Sequence, residues 1–363
     1  MSIESVTAIP LRLPYDIGGP KPEFAGRLRT HMDMLLVRAE TSDGIVGWGE
    51  AFAPFVGPAT RSALETLVIP LVVGKSEDNF QPLMTDIRRK LHLFGRGGPV
   101  AYAISGIDIA LWDIAGKKAG CAVSELLGGA KRKSLRGYAS LIRQANDEAL
   151  SLNCRRAVSA GYKAVKIHAH TTEQAAFARQ TIGDSIDLMM DVNCSWSLEE
   201  ALGYLPRLQE LKLRWLEEPV WPPEELENLQ QLRSSSPVPI AAGENADSEF
   251  DIIRMAKSKA VDLVQPSVTK IGGISELMSI VRAVTKGDAE IILHSAYFGP
   301  GLLATFQVAS LLSTDTMIES YFCDLPVNPL GEVIRFKGGE IAVPTGAGLG
   351  GDPDPDIVRE YRV

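Results

Sequence analysis

From Arg136 to Glu319 the chain repeats one pattern eight times, a short β-rich run followed by a helical stretch. The runs are Arg136–Ser140, Ala164–His168, Leu188–Val192, Arg214–Glu217, Val238–Glu244, Asp262–Gln265, Glu290–His294 and Met317–Glu319. Between them, Ser197-Leu198-Glu199-Glu200 reads as a capping box ahead of Ala201, Leu202 and Leu205. Pro206 predicts a kink or break in that helix. Eight strands alternating with helices predict a parallel (β/α)8 barrel, with a doubly wound parallel sheet as the competing arrangement.

The remaining sequence is organised differently. Met32–Arg38, the turn Thr41-Ser42-Asp43-Gly44 and Ile45–Glu50 read as a β-hairpin. From Arg61 to about Leu127 the apolar spacing turns helical, with Ile104, Ile107, Leu111 and Ile114 on one stripe, and Gly128-Gly129 stops it. The Pro-, Gly- and Asp-rich tail from Pro326 carries Ile341-Ala342-Val343-Pro344 as a candidate last strand. A length of 363 residues fits about two domains, and 45% apolar residues supply a large core. The net charge of −8 with no basic stripe argues against nucleic acid or an anionic membrane as partner. The apolar stretch Leu67–Gly74 is too short to span a bilayer. Cys121, Cys154, Cys194 and Cys323 form no C-x-x-C pair, and no signal peptide stands at Met1–Pro10, so a cytoplasmic chain with reduced thiols is expected.

In a barrel of this kind the active site lies at the C-terminal strand ends. The residues there are Ser140, Lys166 and His168, Asp191, Glu217, Glu244, Ser267, His294 and Glu319. Asp191, Glu217 and Glu244 stand 26 and 27 residues apart, one βα unit each, so three successive strands bring three carboxylates to one rim. Converging carboxylates repel unless a cation or protons neutralise them. Hard oxygen ligands without Cys or His suit Mg²⁺ rather than Zn²⁺; helix N-caps are the alternative role for such acids. Lys166 and His168, two apart, face the same way, and at a barrel top that is inward. A Lys and a His beside a cation are candidate bases. His294, across the ring, is a candidate second acid/base, the alternative being a satisfied core histidine.

These motifs together resemble the enolase superfamily, in its mandelate racemase-like branch. The resemblance rests on Lys166-x-His168, Asp191-x-Asn193, Trp215-Leu216-Glu217-Glu218-Pro219, Ala242-Gly243-Glu244-Asn245 and Lys270-Ile271-Gly272-Gly273. Ser105-Gly106-Ile107-Asp108-Ile109-Ala110-Leu111-Trp112-Asp113 and the ending Pro344-Thr345-Gly346-Ala347-Gly348-Leu349-Gly350 extend it over nearly the whole chain. It implies a modified TIM barrel, (β/α)7β, under an N-terminal α+β capping domain. The expected division is a cap over residues 1–128, a barrel over 129–325 and a tail over 326–363 returning to the cap.

The resemblance also implies Mg²⁺ held by Asp191, Glu217 and Glu244, and abstraction of the proton α to a carboxylate. It makes Lys166, His168, His294 and Glu319 the catalytic set, with Lys166 and Glu319 touching the substrate carboxylate, so that Glu319 would be protonated or share a hydrogen bond. Ser140 and Asn193 are substrate-contact candidates, and His168 takes the place of a second Lys found in many relatives. Where relatives place an Asp beside the second base, this chain has Ser267, which weakens His294 as a base and suits it to donate a proton. Lys270, three residues on, is a substrate contact or a structural barrel lysine. Two lids are expected at Ile17–Arg27 and Glu50–Gly57, where Lys21 and Arg27 either meet a distal polar group or are plain solvated charges. The expected substrate is a small carboxylate, the expected reaction dehydration of an acid sugar, and racemisation, epimerisation or cycloisomerisation is the alternative. A non-enzymatic barrel is the remaining class. Analogy further suggests a homo-oligomer, a dimer or an octamer.

Overall fold

Eight parallel strands curl around one layer of buried side chains, one in or next to each strand: Tyr138, Ala164, Met189, Trp215, Ala241, Leu263, Ile292 and Met317. Tyr138 and Trp215 meet edge-on with ring centroids 5.5 Å apart. The structure, a computed structural model, describes residues 1–24, 26–285, 287–312 and 316–363. Ala25 and the Phe24 side chain, both in the first expected lid, lie outside the described residues.

The barrel strands are Ser134–Leu141, Ala164–His168, Asp187–Asp191, Leu213–Glu217, Ile240–Ala242, Leu263–Val264, Glu290–Ile291 and Ile318–Phe322. Each pairs with the next up to the seventh, and the eighth pairs with the first. Among the described residues no ladder joins the seventh to the eighth; Ser295 bridges the gap, its N–H donating to Glu319 Oε2 and its hydroxyl to the Glu319 carbonyl, both at 2.9 Å. Helices fill each of the seven connections among the described residues, giving (β/α)7β. The fifth, sixth and seventh strands are shorter than the sequence runs suggest, although single backbone hydrogen bonds continue above them, from Gln265 N–H to the Ala242 carbonyl at 3.0 Å and from His294 N–H to the Pro266 carbonyl at 3.2 Å. The Ser197–Glu200 capping box forms, with Glu200 N–H 3.2 Å from Ser197 Oγ and Ser197 N–H 2.7 Å from Glu200 Oε2. The expected break at Pro206 is absent, and that helix runs unbroken from Leu198 to Glu210.

The cap is a three-stranded antiparallel sheet, Ile3–Leu13, Met32–Thr41 and Val46–Ala51, with the helix Gly98–Ala119 against it. The last two strands are the expected hairpin. Glycines set the contact distance: a Cβ on Gly49 would stand 1.9 Å from the Gly106 carbonyl oxygen. The helix also grips the loop after the sixth barrel strand. Ser105 Oγ accepts the Gly272 N–H at 2.8 Å, Asp108 Oδ1 accepts the Ser275 N–H at 3.0 Å, and Trp112 Nε1 donates to Ser275 Oγ at 3.0 Å. Asp113 accepts the N–H groups of Trp48 and Leu349, each at 2.8 Å, so hairpin, helix and tail share one carboxylate. The tail strand Glu340–Ala342 pairs with the foot of the first barrel strand, and Val363 N–H reaches the Pro10 carbonyl at 3.0 Å. No helix of the described residues is long and apolar enough to cross a membrane.

Glu50, closing the third cap strand, is buried at the start of the helix Pro300–Ala309 and accepts the Gly301 N–H at 3.0 Å. Burial pushes its carboxyl up to about 8, against the pull of the Gly301 and Gly299 N–H groups. The folded state therefore holds this proton more tightly than the unfolded chain, and stability falls as pH rises from about 4.5 to 8. Glu50→Gln is expected to stabilise the protein by about 1–3 kcal/mol at pH 8 and to change little at pH 4. Denaturant unfolding at both pH values checks this; an equal effect at both would contradict it.

Candidate active site

Two residues above each member of the inward layer, the pleat brings the next side chain to the same face. Those positions are Ser140, Lys166, Asp191, Glu217, Gly243, Gln265, His294 and Glu319. At the fifth strand Gly243, at φ +125°, takes that place, and the acid comes one residue later as Glu244. The pleat alone thus places most of the expected site residues on one ring.

The three acids converge, with one carboxylate oxygen each from Asp191, Glu217 and Glu244 within 4.8 Å of one another. Lys166 Nζ lies 2.5 Å from Glu217 Oε1, 3.1 Å from Glu319 Oε1 and 3.4 Å from Asp191 Oδ2. Glu217 Oε2 accepts from Trp215 Nε1 at 2.9 Å and from Gln265 Nε2 at 2.7 Å. His168 Nδ1 is 2.6 Å from the Leu141 carbonyl, and its Nε2 is 3.2 Å from Asp191 Oδ2. Opposite, His294 Nε2 is 3.0 Å from Glu244 Oε2 and 3.7 Å from Glu319 Oε2.

Charge is unbalanced here. Asp191, Glu217, Glu218, Glu244 and Glu319 are five buried or nearly buried acids, facing Lys166, Lys270 and two histidines. Burial by itself favours the neutral amine of Lys166, but Glu217 and Glu319 hold its proton well above the ordinary range. Burial also acts on Asp191, yet His168 and Lys166 outweigh it and bring that carboxyl to about 2. Burial with too few cations nearby pushes Glu217 up to about 7 and Glu218 well above the carboxylate range. Asp191 Oδ2 is buried without a well-directed hydrogen bond. An all-oxygen donor set, short of positive charge and with an oxygen unsatisfied, fits a hard divalent cation.

The histidines differ in their second nitrogen. His168 Nδ1 has the Leu141 carbonyl, whereas His294 Nδ1 is buried with no hydrogen-bond partner among the described residues. Ser267 pairs across the strands with His294, but its hydroxyl lies 3.3 Å from Thr269 Oγ1. Both imidazoles are held above their ordinary range. Burial opposes this in each case, and Asp191 outweighs it for His168, Glu244 and Glu319 for His294. Glu319 stays below its ordinary range despite burial, because Lys166, His294 and the Ser295 N–H face it.

Of the expected substrate contacts, Ser140 lies on the ring beside Glu319. Asn193, at φ +47°, donates its N–H to Asp191 Oδ1 at 2.9 Å. Lys270 is buried and donates to the Glu244 carbonyl at 3.0 Å and Asn245 Oδ1 at 3.1 Å, with Phe52 of the second lid 4.7 Å below its ammonium. Lys21 remains in its own lid, bonded to the Thr30 carbonyl at 2.8 Å. Sequence reasoning missed three groups. Gln265 is on the ring by the two-residue pleat, a signal that was present. Arg143 contacts His170 and lies 3.4 Å from Asn193 Oδ1, and Arg29 is buried under the first lid; both meet the site only through tertiary contacts.

Comparison with known proteins agrees with this geometry. Residues 23–128 match the mandelate racemase / muconate lactonizing enzyme N-terminal domain, and residues 149–357 match the enolase C-terminal domain-like model. The chain is 31% identical over 349 residues to D-galactarolactone cycloisomerase of Agrobacterium fabrum, covering 91% of each. It is 31% identical over 342 residues to arabinonate dehydratase of Saccharolobus solfataricus, again covering 91% of each. The solved structure of a racemase from Streptomyces coelicolor A3(2) with bound magnesium shares the fold, with TM-score 0.90 and 23% identity over 99% of this chain and all of that one. Matched over both of its parts, and similar in sequence to such enzymes over most of its length, the chain belongs to the mandelate racemase / muconate lactonizing enzyme family of the enolase superfamily.

Proposed function

We propose that the chain binds Mg²⁺ through Asp191, Glu217 and Glu244 and dehydrates an acid sugar, removing the proton α to its carboxylate and expelling the β-hydroxyl as water. Bound there, the cation would supply positive charge against the substrate carboxylate as the α-carbon becomes anionic. Lys166, ringed by three carboxylates, stays charged and adds a fixed positive group on the same side. His168 donates Nδ1–H to the Leu141 carbonyl, which leaves Nε2 as the atom that takes the α-proton. His294, its proton held by Glu244 and Glu319, gives a proton to the departing hydroxyl. Ser140, Asn193, Ser267, Lys270 and Lys21 are the proposed substrate contacts; of these Ser140 stands beside Glu319 and Asn193 beside Asp191.

The observation that carries a one-face reaction is the unpartnered His294 Nδ1: no carboxylate orients the ring from that side, and Ser267 faces Thr269 instead. Cycloisomerisation is the second reading, favoured by the 31% identity to the galactarolactone enzyme. It shares the proton step but loses no water. Incubation with Mg²⁺ and a panel of acid sugars in D₂O separates them. Dehydration gives a 2-keto-3-deoxy acid; deuterium at C2 with inversion and no loss of water would overturn it in favour of racemisation or epimerisation. The same reading sets the chain in the cytoplasm, in keeping with four free cysteines, and in a homo-oligomer.

A further inference from the structure

Arg29 is the unusual cation of this molecule. It is 7% exposed, yet among the described residues it forms no ion pair with a carboxylate. Its Nη1 donates to the Tyr321 hydroxyl at 2.5 Å and its Nη2 lies 3.0 Å from Met32 Sδ, while the guanidinium stands 5.8 Å from the Phe55 ring and 5.4 Å from the Tyr321 ring. A guanidinium has five N–H donors and is costly to bury without an anion. A neutral side chain would hold the lid to Tyr321 at lower cost.

Its position is tied to the reacting end. Tyr321 follows Glu319 by two residues on the eighth barrel strand, so it faces the same way about 7 Å nearer the mouth. That offset is comparable with the length of a sugar-acid chain. Arg29 also lines a cavity of about 750 Å³ between the two lids, together with Arg12, Arg27, His31 and Arg61. Asp33 neutralises Arg12 and Glu65 neutralises Arg61; Arg27 and Arg29 remain against the single terminal carboxylate of Val363, so the cavity keeps a net positive charge.

We propose that Arg29 binds a second anionic group at the far end of the substrate, so that the substrate is a dianionic sugar acid rather than a simple monocarboxylate. The inference rests on the acid-sugar reading and narrows its substrate class. The distal anion is a carboxylate or a phosphate; a planar guanidinium pairs with either through two parallel N–H bonds. The Tyr321 hydroxyl holds the fork in place and makes Tyr321 a positioning residue.

The test uses the Mg²⁺-loaded full chain with gluconate and galactonate (one anion), glucarate and galactarate (two carboxylates), and 6-phosphogluconate (carboxylate and phosphate). Calorimetry gives Kd, and assays give kcat and KM. At least one dianionic acid is expected to bind about tenfold or more tightly than its monoanionic counterpart. Arg29→Gln is expected to erase that preference, bringing the dianion Kd to that of the monoanion in the same variant. Tyr321→Phe, which keeps the charge, is expected to weaken only the dianions, by about threefold, and tests the proposal even if Arg29→Gln does not fold. The two dicarboxylates against 6-phosphogluconate identify the distal group. Equal affinity for one and two anions, no binding of any dianion, or a preference that survives Arg29→Gln would overturn the proposal. A dianion preference lost in Arg29→Gln, with no turnover of any acid, would sustain it and refute the dehydratase reading.

Discussion

Asp191→Asn is expected to abolish Mg²⁺ binding and to lower kcat/KM by about a thousandfold or more. Asp191 is fully buried, and its carboxylate is one of the three that converge within 4.8 Å among the described residues. An amide in its place offers one neutral oxygen, too weak a ligand for a hard cation that is reluctant to shed water. Loss of a single preorganised electrostatic stabiliser typically costs 10²–10³ in kcat, as an order of magnitude, and here the metal's whole contribution is lost with it. Stability gives an independent readout. Mg²⁺ at about 100 times its Kd should stabilise the parent chain by about 2.7 kcal/mol and Asp191→Asn by nothing. Melting curves with and without Mg²⁺ check this, and an equal shift in both proteins would place the ion elsewhere.

The second large effect separates the two histidines. His168→Asn is expected to slow α-proton removal by about 10²–10⁴-fold while leaving Mg²⁺ affinity close to that of the parent. Its Nε2 contacts Asp191, but the imidazole is not one of the converging oxygen ligands. His294→Asn is expected to leave α-proton exchange largely intact and to slow loss of water instead, since its proton is held by two carboxylates. Exchange followed by NMR in D₂O, beside a product assay, reads both steps. If His294→Asn stops exchange and His168→Asn does not, the roles are reversed.

Much of this site was legible because strand pleat and βα period are local rules. Lys166 and His168, two apart, both reach Asp191, at 3.4 and 3.2 Å. The near-even spacing of Asp191, Glu217 and Glu244 brought three carboxylates together, although only the left-handed Gly243 shows how the third regains the ring. The hairpin and the capping box were equally local. What sequence could not show depends on distant partners. Arg29 meets Tyr321 across 292 residues of chain, and Glu50 meets Gly301 across 251. The motif Ser105-Gly106-Ile107-Asp108 was recognisable, but its work, holding Gly272 and Ser275 beside the site, appears only once cap and barrel are packed together. His170, just beyond the second barrel strand, is half-buried against Arg143 for the same reason. The Ser267 hydroxyl turned to Thr269 rather than to His294, a choice between neighbours that spacing does not encode.

The most direct test of the central claim is exchange of the α-proton itself. The parent protein, stripped with EDTA and then resupplied with Mg²⁺, is incubated with an acid sugar in D₂O, and the C2 proton is followed by NMR together with its product. Deuterium incorporation or proton loss at C2 that appears with Mg²⁺, vanishes on chelation and is absent in Asp191→Asn is the predicted result. Exchange or turnover that proceeds equally without the metal would contradict the account.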